Sequence, residues 1–217
     1  MKSSKIALIT IIFIAAAILT IRLSSVPVEN PETGSIITFG DHEWRVLDVQ
    51  EGKALIISDN LLEKIAYNNK NTSATWETCD LRSYLNGEFY NQFSAKDKAR
   101  IAETRIQNNP NPWFDIKGGK ETSDRIFLLS TEEVVKYFGD SGQLGNNQEN
   151  KYWIDDQYNS SRIAKYTDGE ASWWWLRSPG RNNNRAVYIL DFGFIDLSGG
   201  FFNRDDGGVR PALWLKL

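Results

Sequence analysis

Cysteine is almost absent from this chain of 217 residues: Cys79 stands alone. A single thiol excludes an internal disulfide and any zinc or redox site built on paired cysteines, so a metal would have to take oxygen ligands. Histidine is equally scarce. His42 is the one imidazole, and beside Asp41 it reads as a solvated side chain in a turn between strands. An excess of positive charge is missing too. The formal net charge is −3, and Lys2, Lys5 and Arg22 supply three of the 25 basic residues, which leaves the rest of the chain at −6. That balance argues against a nucleic-acid partner, which selects a basic face, and against the folded part lying on an anionic membrane. Hydrophobic residues at 41% and charged residues at 24% are the mix of an ordinary globular protein. No internal repeat is evident.

The one long hydrophobic run stands at the start, from Ile6 to Ile21, between Lys5 and Arg22. As a helix it spans roughly 24 Å, slightly under the ~30 Å hydrocarbon core, so Leu23 and snorkelling of Lys5 and Arg22 complete the crossing. Residues 1–23 therefore read as a membrane anchor or signal segment, with membrane contact through residues 6–23. The small-residue pattern at Leu23-Ser24-Ser25 is a poor cleavage site, which favours an uncleaved single-pass anchor; secretion after cleavage is the alternative. Two lysines before the run against one arginine after it place the amino terminus in the cytoplasm and the rest outside. Residues 24–34, SSVPVENPETG, form an extended linker, and residues 35–217 a single globular domain.

Ser35 to Phe39, Glu43 to Gln50 and Lys53 to Ser58 predict a three-stranded meander, with turns at Gly40-Asp41 and Glu51-Gly52. Leu81, Leu85 and Phe89 recur at four-residue spacing on one face of a short helix, broken near Asn86-Gly87. Ser94 caps a helix over Ala95 to Glu103 with Ala99 and Ile101 facing inward. Ser130 and Glu133 make a capping box for a helix through Phe138, which Gly139 ends. Asp124 to Leu129 reads as a buried strand, Gly139 to Gly169 as a long irregular loop, and the last third as short strands between Gly- and Asn-rich turns. This order predicts an α+β fold.

In Trp173-Trp174-Trp175, alternation along a strand puts Trp173 and Trp175 on one side and Trp174 on the other. Either one side fills the core and the other packs under the long loop, or one of the rings, Trp174, lines a binding surface. Arg177 in LRSPG and Arg210 in GVRPAL are suited to hold a buried carboxylate or a row of carbonyls, with anion capture as the alternative. Between them, aromatics, amides and charges mix as they do in recognition loops, although Asn, Asp and Gly also suit plain hairpin turns. The candidate ligand contacts are Trp174, Arg181, Asn182, Asn183, Asn184, Tyr188, Asp191, Phe192, Phe194, Phe201, Phe202, Asn203 and Arg204. Asp191, Asp196, Asp205 and Asp206 have the oxygens that calcium needs, but their spacing matches no calcium loop, so no metal or cofactor is assigned. No catalytic residue is nominated, because a working pair among 28 acidic residues is defined by geometry.

The blocks EWRVLDV, ALIIS, TWETCDLRSYLNGEFYNQF, DRIFLLSTEEVVKYF, WWLRSPG and GVRPALWL, taken in order, resemble the bacterial domain-of-unknown-function family numbered 6273 from about Ile36 to Leu217. Trp173 to Gly180 and Gly208 to Leu215 also look like the C-type-lectin-like fold of formylglycine-generating enzymes and retroelement variable proteins. That likeness implies a lectin-like core of short antiparallel strands with a few short helices, which the apolar run read above precedes as a transmembrane helix. It also implies ligand contacts in the final region. The paired cysteines of the formylglycine-generating enzymes and the Glu-Pro-Asn, Gln-Pro-Asp and Trp-Asn-Asp motifs of sugar-binding lectins do not occur here. The resulting expectation is a membrane-anchored, non-catalytic extracytoplasmic domain that binds a protein, peptide or glycan. A cell-wall-directed hydrolase and a structural module of a surface assembly are the alternatives.

Overall fold

The computed structural model describes residues 31–147 and 151–217. The expected membrane segment and most of the linker lie outside the described residues, among which no helix is long and apolar enough to cross a membrane. The chain opens with β1 (Ile36–Phe39), β2 (His42–Gln50), β3 (Lys53–Ser58) and β4 (Glu63–Lys64). A helical stretch follows as α1 (Asp80–Tyr84), a π-turn over Leu85–Phe89, and α2 (Tyr90–Gln92). Next come α3 (Ala95–Arg100), β5 (Thr104–Ile106), β6 (Thr122–Asp124) and α4 (Thr131–Phe138). The last third holds β7 (Trp153–Ile154), α5 (Asn159–Arg162), β8 (Ala164–Lys165), β9 (Ala171–Ser172), β10 (Trp174–Pro179), β11 (Arg185–Ile189), β12 (Ile195–Phe201), β13 (Gly208–Val209) and β14 (Ala212–Lys216).

Two main sheets result. The expected meander forms, and β14 returns along β3 with five antiparallel pairs from Ala212↔Ile57 to Lys216↔Lys53, giving the order β1-β2-β3-β14. The second sheet runs β4-β13-β10-β11-β12-β7 and carries one parallel pairing, β10 with β13. Few short helices packed on antiparallel sheets make the domain α+β, as expected. Leu81, Leu85 and Phe89 are all buried, yet the helix does not break at Asn86-Gly87: the π-turn absorbs the irregularity and keeps the apolar residues on one side.

The tryptophan run is buried on both faces of β10. Trp173 and Trp175 meet edge to face at 4.7 Å, whereas Trp174 turns the other way, 6.4 Å from Phe138, and its indole donates to the Arg162 carbonyl. Arg177 does what its context predicts. Its guanidinium holds both oxygens of Glu133 and donates to the Leu128 and Gln107 carbonyls. The Glu133 carboxylate also accepts from the Ser130 backbone N–H at 2.8 Å, while the Ser130 hydroxyl accepts from Glu133 N at 3.2 Å. One carboxylate thus completes the capping box and neutralises a buried cation.

Three local expectations need correction. Asp124 to Leu129 is buried, but only a strand ending at Asp124 and one bridge, Phe127 to Ala212, form there. The chain leaves the β5-β6 ribbon to reach the first sheet. Helix α3 stops at Arg100, because Ile101 turns extended to bridge Leu215, and Ala99 faces solvent. Nor is the segment 139–169 structureless: β7, α5 and β8 lie within it. A buried ion pair, Arg162 to Asp156 at 2.5 Å, braces it, with Arg162 Nε also donating to the Gly193 carbonyl. Polar sequence hid this order, since buried salt bridges look like surface residues when read by composition.

Replacing Glu133 by Ala strands the Arg177 charge and opens the α4 cap, so urea unfolding should register a loss of about 3 kcal/mol. The same change at Glu103, whose pair with Arg125 is half exposed, should cost under about 1 kcal/mol.

Candidate functional site

The residues from Arg181 to Arg204 build the hairpin β11-β12 and the turns at its two ends. Arg185 pairs with Phe201 at one end and Ile189 with Ile195 at the other. Four residue steps at ~3.3 Å separate those ends by roughly 13 Å. A stretch contiguous in sequence is therefore divided in space.

At the first end, the turn Arg181–Asn184 is fixed by its backbone. The Asn182 carbonyl accepts from Arg185 N, that of Asn183 from Ala74 N, and that of Asn184 from Phe202 N, all within 3.0–3.1 Å. The Asn182 and Asn183 side chains point to solvent and Asn184 is half-buried. Arg181 lies 5.7 Å from the ring of Tyr152, which stacks on Phe114, and Arg185 covers the exposed ring of Phe201 at 3.8 Å. Arg185 Nη1 donates to the Gly199 carbonyl at 2.7 Å. Burial lowers the Arg185 pKa first, and the neighbouring Arg181 charge lowers it further, so two like charges are held side by side on this surface. Backbone crowding makes the arrangement rigid. Gly199 has φ +76°, and a Cβ there would stand 2.6 Å from the Ala186 carbonyl oxygen. The buried Asn111 amide donates to the carbonyls of Pro179 and Leu197 and so ties β10 to β12 just behind the turn.

On the sheet face between the two ends sit Trp173, Tyr188 and Arg204. The Arg204 guanidinium lies 4.2 Å from the Trp173 ring and pairs with Asp206 at 2.9 Å. Its hydrogen bond to Asp206 holds the Asp206 carboxyl below its ordinary range. Burial, then the Asp196 charge, pushes the Tyr188 hydroxyl up to about 12, so it stays protonated across physiological pH. A side chain at Gly207 would displace Trp173, since a Cβ would meet its ring at 2.2 Å. Asn203 is exposed next to this face.

At the far end, Asp191, Phe192 and Phe194 form the tip of the hairpin, with the two rings edge to face at 4.5 Å and Phe192 exposed. Trp174 and Phe202 belong to none of these surfaces. Both are core residues: Trp174 is sealed between Phe138 and Arg210, and Phe202 stacks on buried Tyr67 at 4.8 Å. Reading them as ligand contacts is corrected by their burial. In exchange the structure adds Tyr152, Arg185 and Phe114 to the first end, two of them from outside the stretch that the sequence singled out.

The acidic residues considered for calcium do not converge. No group of three metal-capable side chains occurs among the described residues, and Asp196 Oδ1 is engaged by Ser198 N, Ser198 Oγ and Gly199 N. Cys79 is buried and caps α1 with its sulfur, and burial raises its thiol to about 12, which makes it unreactive.

The far end depends on the Asp156–Arg162 pair through the Gly193 carbonyl. Burial works to raise the Asp156 carboxyl, but hydrogen bonds from Arg162, Ser141 and Tyr158 N outweigh it and hold the group below its ordinary pKa. A carboxyl depressed in the folded state contributes stability that is complete above its unfolded value of about 4 and is lost as pH falls through the folded value. Asp156→Asn should therefore lower stability at neutral pH and flatten the decline as pH falls below about 4. Urea midpoints taken across that range check the expectation.

No curated protein and no solved structure matches the chain. A family model does, from Glu51 onward, which leaves β1 and β2 ahead of the match and covers β3 through β14. The chain belongs to the family described as Domain of unknown function (DUF6273), whose model matches residues 51–217.

Proposed function

We propose that the protein is a membrane-anchored extracytoplasmic binding domain. It takes a protein, peptide or glycan ligand on the first end of the β11-β12 hairpin. The observation that carries this reading is the pairing of arginines with aromatic rings on a rigid backbone: Arg181 with Tyr152, and Arg185 with the exposed Phe201. Large rings held by backbone crowding present contact area at little entropic cost, and arginine beside them adds directional donors. Exposed Asn182 and Asn183 supply adaptable polar contacts in the same turn.

Anchoring rests on the apolar run Ile6 to Ile21 and its flanking charges. A C-type-lectin-like core is part of the proposal. The return of β14 alongside β3, which brings the end of the domain next to its beginning, is consistent with it.

A hydrolase would need a carboxyl raised to act as a general acid, and Asp156 and Asp206 move in the opposite direction. The reading of a structural module draws on Phe192 and Trp153, which expose rings elsewhere on the sheet.

Envelope extract and a glycan array, probed with the full chain, test the proposal. A partner retained by the wild type should bind at least tenfold more weakly to Tyr152→Ala and Phe201→Ala, about 1.4 kcal/mol or more per ring, and unchanged to Phe192→Ala. Loss in Phe192→Ala alone would move the site to the far end, and release of soluble sugar or peptide fragments would favour the hydrolase. Protease added to intact cells should cut beyond Arg22; complete protection there would contradict the outward topology.

A further inference from the structure

On the Trp174 side of β10, a cavity of about 690 Å³ opens between β2, the end of α4 and the segment Ser160–Lys165. Arg210 forms part of its wall, and it differs from Arg177, the other arginine set in a proline context, in what it touches. Arg177 has a carboxylate and two carbonyls. Arg210 is 3% exposed, donates only Nε to the Ser58 carbonyl at 3.0 Å, and finds no acceptor for Nη1 among the described residues. Its guanidinium lies 5.1 Å from the Trp174 ring and 5.3 Å from the Phe138 ring, which hold the plane but accept no N–H in the way an oxygen does. The Ser58 hydroxyl, beside it, is likewise buried without a partner. An uncompensated buried cation is costly to fold, so its retention at the wall of a cavity points to a partner supplied from outside.

We propose that this cavity binds a small monocarboxylate, with Arg210 as the group that recognises the acid. The charge pattern selects that class. Arg45 is neutralised by Asp59 at 2.8 Å, both lining the cavity, and Lys165 is exposed to water. One buried positive charge remains to be met, and the Asp59 carboxylate disfavours a dianion. The planar fork of a guanidinium matches the two oxygens of a carboxylate. Val46, Leu47, Phe138, Ile163 and Ala164 give the remaining wall an apolar character, and the volume lies in the range of small-molecule sites, enough for an N-acylated amino acid or the last residues of a peptide. Burial lowers the Arg210 pKa to about 10, which still leaves it charged at neutral pH.

Calorimetric titration of the full chain in detergent with N-acetyl-alanine, trialanine, N-acetyl-alaninamide and inorganic phosphate tests the assignment. The expected result is saturable binding of at least one of the two acids, at least tenfold weaker binding of the amide, and weaker binding of phosphate. A preference for N-acetyl-alanine identifies a free small acid, and a preference for trialanine a peptide carboxy terminus. Arg210→Met should abolish binding. Because that change alters the core, Ser160→Trp, on an exposed position of α5 at the cavity, serves as the second variant. It should weaken binding at least tenfold with an unchanged thermal midpoint. Equal affinity for acid and amide, no binding of either acid, or an undiminished affinity in Ser160→Trp would overturn the proposal.

Discussion

The Glu133 carboxylate is the point on which the two halves of the domain depend. It accepts from the first turn of its own helix and from the guanidinium of Arg177 on the central strand of the second sheet. Arg177 then reaches back to the carbonyl of Leu128, beside the Phe127 bridge to the first sheet, and to that of Gln107, just past β5. Take away the carboxylate and the strand β10 carries an unpaired buried charge, the helix loses its cap and the segment at Leu128 loses its anchor together. The parts of such a network act as one unit, because removing one member leaves the others buried without their partner.

That arrangement leaves two sides of β10 with different chemistry. On one side, Trp173, Trp175 and Tyr188 pack as a closed aromatic layer, with the Arg204 guanidinium over the Trp173 ring. Toward α4, Trp174 and Phe138 hold Arg210 at the wall of a cavity. The consecutive tryptophans are what make both possible: alternation sends one ring to the cavity side and two to the opposite side, and burial on each keeps the backbone from shifting.

The sequence made the α+β class legible through the meander, the capping box at Ser130 and Glu133 and the spacing of Leu81, Leu85 and Phe89, because these are local patterns with local causes. Arg177 was legible for the same reason, from its extended Ser-Pro-Gly context. The pairing of β14 with β3 was not, since a strand of 5 residues at the far end of the chain carries no mark of its partner. Nor was the order within 139–169, where Asp156 and Arg162 are separated by six positions and meet only in the fold. The candidate surface was half legible. Arg181, the asparagines and Phe201 do share one end, but Phe192 and Phe194 stand at the other. Trp174 and Phe202 are core, and the sequence did not separate them from surface rings, since an aromatic in or beside a short strand reads the same whether it faces solvent or a neighbour across the sheet.

Photo-crosslinking in intact cells decides whether the Arg181–Phe201 end of the hairpin is the surface that meets a partner. Crosslinking side chains would be placed in turn at Asn183, Phe192 and Val49, of which Asn183 lies in the proposed surface and Val49 is exposed on the first sheet. A discrete crosslinked product is expected from Asn183 and none from Phe192 or Val49. Equal products from all three positions, or none from Asn183 with one from Val49, would contradict it.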